Sequence, residues 1–491
     1  MGGGRKKMVG GAFFLLVLGW LVVVGCYQLK KPLPPGIDYR GELRLTAADQ
    51  VTFLHDLTFA DHLGRRVLDQ QIFDALFSLL EQAHHYILLD MFLFNNHQGM
   101  MSSSFRPLAQ ELTDLLIRKK REIPSISIDV ISDPINSSYG GSSAKELDQL
   151  RAAGINVIIT DVKPLRDSNP LYSSVWRTFF QWFGNSKNGG RFKHPFAGDG
   201  QQVSLRSYLA LLNFKANHRK ICVADHRGEM VTIITSANPH DASAAHSNAA
   251  FRVTGDLWRD VYRSEAAVAA FSGGRLSLVG VEQLAKAQLS VESTLQVQLL
   301  TEKRIKHACL EIIGRAGHSD TVSMAMFYLA DRQIIRSLLQ AAKRGAEIRI
   351  ILDPNKDAFG YRKNGIPNRP VAHELVQKSG GRIHIRWYDT HGEQFHTKMI
   401  IGRKADGTMS VLLGSANLTR RNIDNFNLES DVLVVGNQYS LVMRRVADYF
   451  EAVWHNTDDR RYTVPYDAYA ESSDSKTIQY RLQEGLGLGT F

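Results

Sequence analysis

His218-Arg219-Lys220-Ile221-Cys222-Val223-Ala224-Asp225, followed by Ser236-Ala237-Asn238, returns downstream as His396-Thr397-Lys398-Met399-Ile400-Ile401-Gly402-Arg403, followed by Gly414-Ser415-Ala416-Asn417. A lone His-x-Lys means little, because about one such triplet is expected by chance in a chain this rich in histidine. Here only two of 17 histidines carry it, and each is followed by Ser-Ala-Asn, with the serine 18 or 19 residues after the histidine. Twofold recurrence of a compound pattern marks an internal repeat. Each copy reads as a strand, a turn and a returning strand: 221–224 with 231–235 around His226-Arg227-Gly228, and 399–401 with 410–413 around Asp406-Gly407. Residues two apart on a strand share a face, so His and Lys project together, as do Ser and Asn. Two such hairpins facing each other bring two imidazoles, two ammonium groups and two amides into one site. That set suits an anionic phosphodiester, whose non-bridging oxygens and growing charge need fixed donors.

The repeat extends upstream of the motifs. Ile131-Ser132-Asp133-Pro134 matches Ile351-Leu352-Asp353-Pro354 at an offset of 220, and Met91-Phe92 sits in a strand like that of Met326-Phe327. At the histidines the offset is 178, so the first copy carries about 42 extra residues. A helical pattern at 70–83 leads into an apolar strand at 86–94, and helix, strand and turn signals alternate from there to about Trp454. That alternation is the pattern of an α/β protein. The expected division is a targeting segment at 1–26 and an extended segment at 27–69. A first lobe at 70–285, a second lobe at 286–460 and a tail at 461–491 follow.

The extra residues of the first copy lie at about 163–212 and mix aromatic with basic side chains: Tyr172, Trp176, Phe179, Phe180, Trp182, Phe183, Arg191 and Lys193. Such a mixture reads as a structured insertion with a small core of its own, or as a patch suited to a lipid head-group layer. A platform for stacking single-stranded bases is a third reading.

With 44% hydrophobic and 22% charged residues, the chain has ample apolar material for a core and is neither disordered nor fibrous. Its formal charge of +10 favours anionic partners without choosing between lipid and nucleic acid. Three cysteines give no disulfide framework. At the amino terminus Arg5-Lys6-Lys7 precede an uncharged run at 8–24 that closes in Val23-Val24-Gly25-Cys26. A basic start followed by an apolar run is an export signal. The tetrapeptide resembles a bacterial lipobox, in which Cys26 would be acylated; the competing reading is an uncleaved signal anchor. The run by itself is short for a bilayer of about 30 Å. Either reading ties the chain to the cell envelope with its folded part outside the cytoplasm.

The paired motifs resemble the phospholipase D superfamily, whose defining element is His-x-Lys-x4-Asp with a following Gly-Ser-x-Asn, present twice. Bacterial phospholipase D-like and cardiolipin synthase-like enzymes are the most similar members. The resemblance covers roughly Gln70 to Trp454. It implies two similar lobes of mixed sheet flanked by helices, related by a pseudo-twofold axis, with the site between them. It also implies a two-step transfer that needs neither metal nor other cofactor. One histidine attacks phosphorus, and the other protonates the leaving alcohol and then activates water or an acceptor. On this likeness His218 is the nucleophile and His396 the acid/base. Lys220, Asp225, Ser236, Asn238, Lys398, Ser415 and Asn417 complete the two sets, and Glu429 is the downstream acid that orients a histidine. The implied activity is phosphatidyl transfer or hydrolysis to phosphatidic acid, with anionic phospholipids as partners and no nucleic acid. A nuclease of the same superfamily and a silent lipid-binding envelope protein are the alternatives.

The sequence departs from the family pattern in three places. Thr235 replaces the first Gly, Arg403 stands in the second Asp position, and Asn248 lies where the first copy has no acid. By strand parity the residue at 403 faces away from His396, so its loss should matter less than loss of the histidine. His84, His85, His240 and His246 have no metal-ligand spacing and read as structural. Asp133-Pro134 and Asp353-Pro354 read as turns at strand ends.

Overall fold

The computed structural model describes residues 2–99, 105–188, 190–194, 197, 201–213, 215–277 and 295–489. After a long amino-terminal helix, α1 (Gly2–Lys30), come β1 (Arg44–Thr46), β2 (Val51–Ala60), β3 (Arg66–Gln70), β4 (Tyr86–Met91), β5 (Ser127–Ser132) and β6 (Asn156–Ile159). A small hairpin, β7 (Phe192–Lys193) and β8 (Gln202–Val203), precedes β9 (Lys220–His226), β10 (Glu229–Thr235) and β11 (Asn248–Thr254). Then follow β12 (Leu295–Thr301), β13 (Thr321–Met326), β14 (Glu347–Leu352), the short pair β15 (Asp357–Ala358) and β16 (Tyr361–Arg362), and β17 (Ile383–Tyr388). The last strands are β18 (Lys398–Arg403), β19 (Thr408–Gly414), β20 (Ser430–Asn437) and β21 (Thr463–Pro465).

Two sheets result, ordered β3-β2-β11-β10-β9-β4-β5-β6 and β1-β12-β20-β19-β18-β13-β14-β17-β21. Seven successive strands correspond one to one: β2-β11-β10-β9-β4-β5-β6 with β12-β20-β19-β18-β13-β14-β17. In each sheet the last three of these run parallel and the rest antiparallel. The parallel strands are joined through helices, as crossover connections require. The mixed α/β architecture is thus the expected one, and the repeat is visible strand by strand. The motif hairpins form as the spacing predicts. In the first, Arg227 and Gly228 both have positive φ (52° and 84°), the conformation of a two-residue turn that matches strand twist.

Apolar side chains fall into three clusters. One joins the inner faces of both sheets, with Ile221 and Val223 of β9 and Met399 and Ile401 of β18, and takes in the helices Leu257–Phe271 and Leu441–His455. The other two lie under the outer helices of the first and second sheet. Arg219, between the motif His and Lys, points into the layer between the sheets. There it meets Glu265 and Glu302 at 2.7 Å each, one from either half. A buried charge flanked by two carboxylates is costly to break, so this residue ties the halves in register.

Two expected boundaries shift. The segment 27–69 is not merely extended: Val51, Phe53, Leu57 and Phe59 alternate into the core, so β2 and β3 belong to the first sheet, while β1 completes the edge of the second. The tail is likewise folded, with β21 on β17 and Tyr480 of the helix Asp474–Leu486 fully buried. The boundary drawn at 285/286 lies outside the described residues.

α1 is unbroken through Val23-Val24-Gly25-Cys26, so the apolar run does not stop where the sequence suggested. Residues Lys7–Lys30 are long and apolar enough to cross a membrane. At about 1.5 Å per residue this stretch reaches ~36 Å, beyond the ~30 Å of a hydrocarbon core. Its carboxyl end packs on the insertion. A Cβ on Gly25 would sit 2.9 Å from the Pro170 carbonyl, Asp167 N–H donates to Gln28 (3.1 Å), and Lys31 Nζ donates to the Lys163 carbonyl (2.8 Å). The insertion is held by a buried ion cluster, Asp167 between Arg177 (2.9 Å) and Lys215 (2.6 Å). It also leaves Leu171, Phe179, Trp182 and Phe183 exposed.

Candidate active site

Each motif histidine stands two residues before its strand and is held from the opposite half. His218 N–H donates to the Leu428 carbonyl (2.9 Å), and His396 N–H donates to the Ser247 carbonyl (2.8 Å). Asp133 accepts the N–H of Asn217 (2.7 Å) and Asp353 that of Phe395 (2.8 Å), fixing the residue ahead of each histidine. The two Asp-Pro pairs are therefore turns that also brace the site, a role the turn reading alone did not include.

The partners of the histidines are crossed between halves. His218 Nδ1 lies 2.9 Å from Glu429, which belongs to the second half. His396 Nδ1 lies 3.2 Å from Asn248 Oδ1, which belongs to the first. The motif serines hold these partners: Ser236 Oγ donates to Asn248 Oδ1 (3.0 Å), and Ser415 Oγ donates to Glu429 (2.5 Å). Asn422 also donates to Glu429. Ser236 and Ser415 thus act behind the histidines. With Nδ1–H donating to these acceptors, Nε2 of each ring is left for the substrate, as a lone pair when the ring is neutral and as an N–H donor when it is protonated.

Lys220 and Lys398 are fully buried, each with Nζ donating 2.6 Å to the carbonyl of its own motif histidine. Each ammonium also sits over an aromatic face, Lys220 5.1 Å from Phe92 and Lys398 5.0 Å from Phe327. Burial lowers Lys220 to about 7 and Lys398 well below the lysine range, the latter further through Lys220. Burial, with Lys220 and Lys398 beside it, holds His218 well below 6.5; burial, Lys398 and His246 do the same for His396. Burial pushes Glu429 the other way, up to about 8, against the pull of Lys220. These cationic groups repel one another in a dry site, and an entering anion relieves that repulsion.

His218, Asn238, His396 and Asn417 line a single cavity of about 450 Å³ with Phe92 and Phe327. His240 and His246, read as structural from sequence, line it too, as does His97. These sit in loops between elements, where periodicity carries no information. Among the described residues, no cluster of three or more His, Cys, Asp or Glu is placed to hold a metal ion.

Asp225 lies outside this cavity. It accepts the backbone N–H groups of His84, His85 and Tyr86 (2.7–3.0 Å), so its place is the far end of β9, where it secures the start of β4. The expected catalytic placement is corrected; the parity argument that turns this position away from the histidine holds. Asp225→Asn should lower stability by about 1–3 kcal/mol while leaving turnover within a few-fold, because it weakens buried hydrogen bonds remote from the chemistry. Arg403, the corresponding residue, pairs with Thr321 at the far end of β18, in the middle of the second sheet. Arg403→Asp should leave activity unchanged or modestly higher, measured as kcat beside the melting temperature.

The sequence pattern of the cardiolipin synthase phospholipase D-like domain matches residues 309–454, which include His396, Lys398, Ser415, Asn417 and Glu429. This part of the chain carries a phospholipase D-like domain. Its fold is similar to that of phosphatidylserine synthase from Haemophilus influenzae, with a TM-score of 0.56 over 94% of this chain and 97% of that one, at 11% identity. Other overlaps are with polyphosphate kinase from Porphyromonas gingivalis (TM-score 0.45, 14% identity, 89% of this chain and 53% of that one) and the phospholipase D family member Nuc from Salmonella typhimurium (0.26, 24%, 34% and 97%). No curated protein matches the chain in sequence. The synthase-like fold spans both sheets, and with them both motif copies.

Proposed function

We propose that this protein is a membrane-anchored phosphatidyltransferase. It would move phosphatidyl groups between anionic phospholipids or to a small alcohol, with hydrolysis to phosphatidic acid as a side reaction. The observation that carries the lipid assignment is physical continuity between the apolar helix, the insertion and the cavity. α1 packs on the helix Pro170–Val175, exposed Trp182 (74%) and Phe183 (65%) follow on the same segment, and Leu211 and Lys215 at its end line the cavity. Aromatic rings with neighbouring Lys and Arg suit the head-group layer. A spanning α1 with Arg5-Lys6-Lys7 inside would hold that patch, and the mouth of the cavity, against the outer face of the same membrane. The continuous α1 docked through Gly25 supports a retained anchor over cleavage before Cys26.

The chemistry follows from the crossed partners. His218 Nε2 attacks phosphorus, its Nδ1–H held by Glu429, and the P–N bond forms as the P–O bond to the head group breaks. His396, protonated at Nε2 once the substrate phosphate has entered, gives that proton to the departing oxygen. In the second half an acceptor hydroxyl, or water, returns a proton to His396 as its oxygen bonds phosphorus and the P–N bond breaks. Asn238, Asn417 and the lysines behind the histidines stabilise the charge on the non-bridging oxygens. Glu429 makes His218 the better nucleophile, since a carboxylate stabilises the imidazole as it becomes positive and a neutral amide does so less.

Purified full-length protein, incubated with phosphatidylglycerol, phosphatidylethanolamine and single-stranded DNA in parallel with EDTA present, should convert phosphatidylglycerol and leave DNA intact. Cleavage of DNA with no change in either lipid would overturn the lipid assignment and leave the histidine chemistry standing. No reaction on any substrate would favour a silent binding protein.

A further inference from the structure

We infer that His246 forms a second subsite in the cavity, one that binds a neutral polyol as acceptor for the transfer reaction; this rests on the phosphatidyl-transfer reading above. His246 is 2% exposed, and neither of its ring nitrogens has a hydrogen-bond partner among the described residues. A buried polar group without a partner is destabilising, so two on one ring point to a ligand that supplies both. The ring lies where such a ligand would react. It lines the cavity, its centroid is 5.7 Å from that of His396, and it stacks on Phe359 at 5.8 Å.

The backbone holds it there. His246 N–H donates to the Ser243 carbonyl (2.9 Å), and its own carbonyl accepts from Asn248 Nδ2 (3.1 Å). Asn248 is the residue that faces His396 through its other amide atom. The acid/base histidine and the subsite histidine are therefore positioned by one short segment.

The chemistry of the ring and its surroundings selects the ligand. A neutral imidazole offers one N–H donor and one lone pair, and a hydroxyl needs one acceptor and one donor. A polyol can place its reacting hydroxyl at His396 and a neighbouring hydroxyl at His246. The reacting O–H gives its proton to His396 as oxygen bonds phosphorus and the P–N bond to His218 breaks. An ammonium acceptor fits poorly. Among the described residues, the cavity is lined by Lys215, Lys363 and Arg421 and by no carboxylate. Lys398 and Arg66 lie near enough to disfavour a further positive charge at His246.

The test uses full-length protein in phosphatidylcholine nanodiscs with unlabelled phosphatidylglycerol as donor and isotope-labelled glycerol or ethanolamine as acceptor, so that exchange of the head group is visible. The readout is the ratio of transfer product to phosphatidic acid. Wild-type protein should prefer glycerol. His246→Phe should lower glycerol transfer about tenfold more than hydrolysis, and His246→Gln, which keeps a donor and an acceptor, should recover most of the ratio. Should the phenylalanine variant not fold, His246→Leu read against His246→Gln serves the same comparison. An unchanged ratio in the apolar variants of an enzyme that does transfer would overturn the subsite alone. So would an equal loss of transfer and hydrolysis in the apolar and glutamine variants, the mark of a merely structural role. Absence of any transfer product from wild-type protein would overturn the transfer reading and the subsite with it.

Discussion

His396→Ala should accumulate a phosphoenzyme that it cannot turn over, and His218→Ala should form none. The two half-reactions differ in their need for a proton. With a donor whose leaving group is p-nitrophenol, the departing oxygen needs no acid, so His218 can displace it even when His396 is absent. Resolution of the P–N bond still needs a base to activate water, and that base is gone. In His218→Ala the nucleophile itself is missing, and neither the lysines nor the asparagines can replace it. Steady-state turnover should fall by on the order of 10⁴ or more in both variants, since each removes a group that acts in both half-reactions. Intact-mass measurement at alkaline pH, where a phosphoramidate survives, should find the adduct in His396→Ala. An adduct on His396 in the His218→Ala protein would reverse the two roles. Full activity in either variant would sink the two-histidine mechanism.

Much of the architecture behind that experiment was legible because it is repeated. Period-two alternation placed His218 with Lys220 and His396 with Lys398 on common faces, and the structure brings both histidines to one cavity. The same parity turned the residue at 403 away from His396; Asp225, at the matching position of the first copy but expected among the catalytic residues, binds the start of β4 instead. What sequence could not carry was the partner across the interface. Glu429 follows the second motif but faces the first histidine, and Asn248, dismissed for lacking an acid, faces the second. Nothing in one half's local pattern says which half its side chain will meet. His246 was hidden for a related reason: it lies in a loop, where neither strand parity nor helical period applies. β2 went unread although Val51, Phe53, Leu57 and Phe59 alternate, because His55 and Asp56 interrupt the pattern in its middle.

The crossed partners lead to the second large expected effect, on pH dependence. Glu429 is useful only as a carboxylate, since it must accept from His218 Nδ1 and stabilise the ring as it becomes positive. Burial pushes it up to about 8, so its proton is lost as pH rises through that value. With the p-nitrophenyl donor, whose departure takes no proton from His396, phosphoenzyme formation should therefore climb with pH across this range and fall away below it. Glu429→Gln keeps the shape and an acceptor oxygen but cannot ionise; kcat should drop by about 10²–10³ and the climbing limb should vanish. Retention of both rate and profile by Glu429→Gln would remove Glu429 from the mechanism. Asn248→Asp tests the other side of the same interface. It would set a carboxylate beside His396, which burial, Lys398 and His246 hold well below 6.5. A negative neighbour raises a histidine. Because His396 acts first as an acid, Asn248→Asp should raise the rate on a lipid donor relative to the p-nitrophenyl donor at neutral pH. The climbing limb set by Glu429 should stay in place. Movement of the climbing limb instead would mean that the two halves are not paired across the interface as the structure places them.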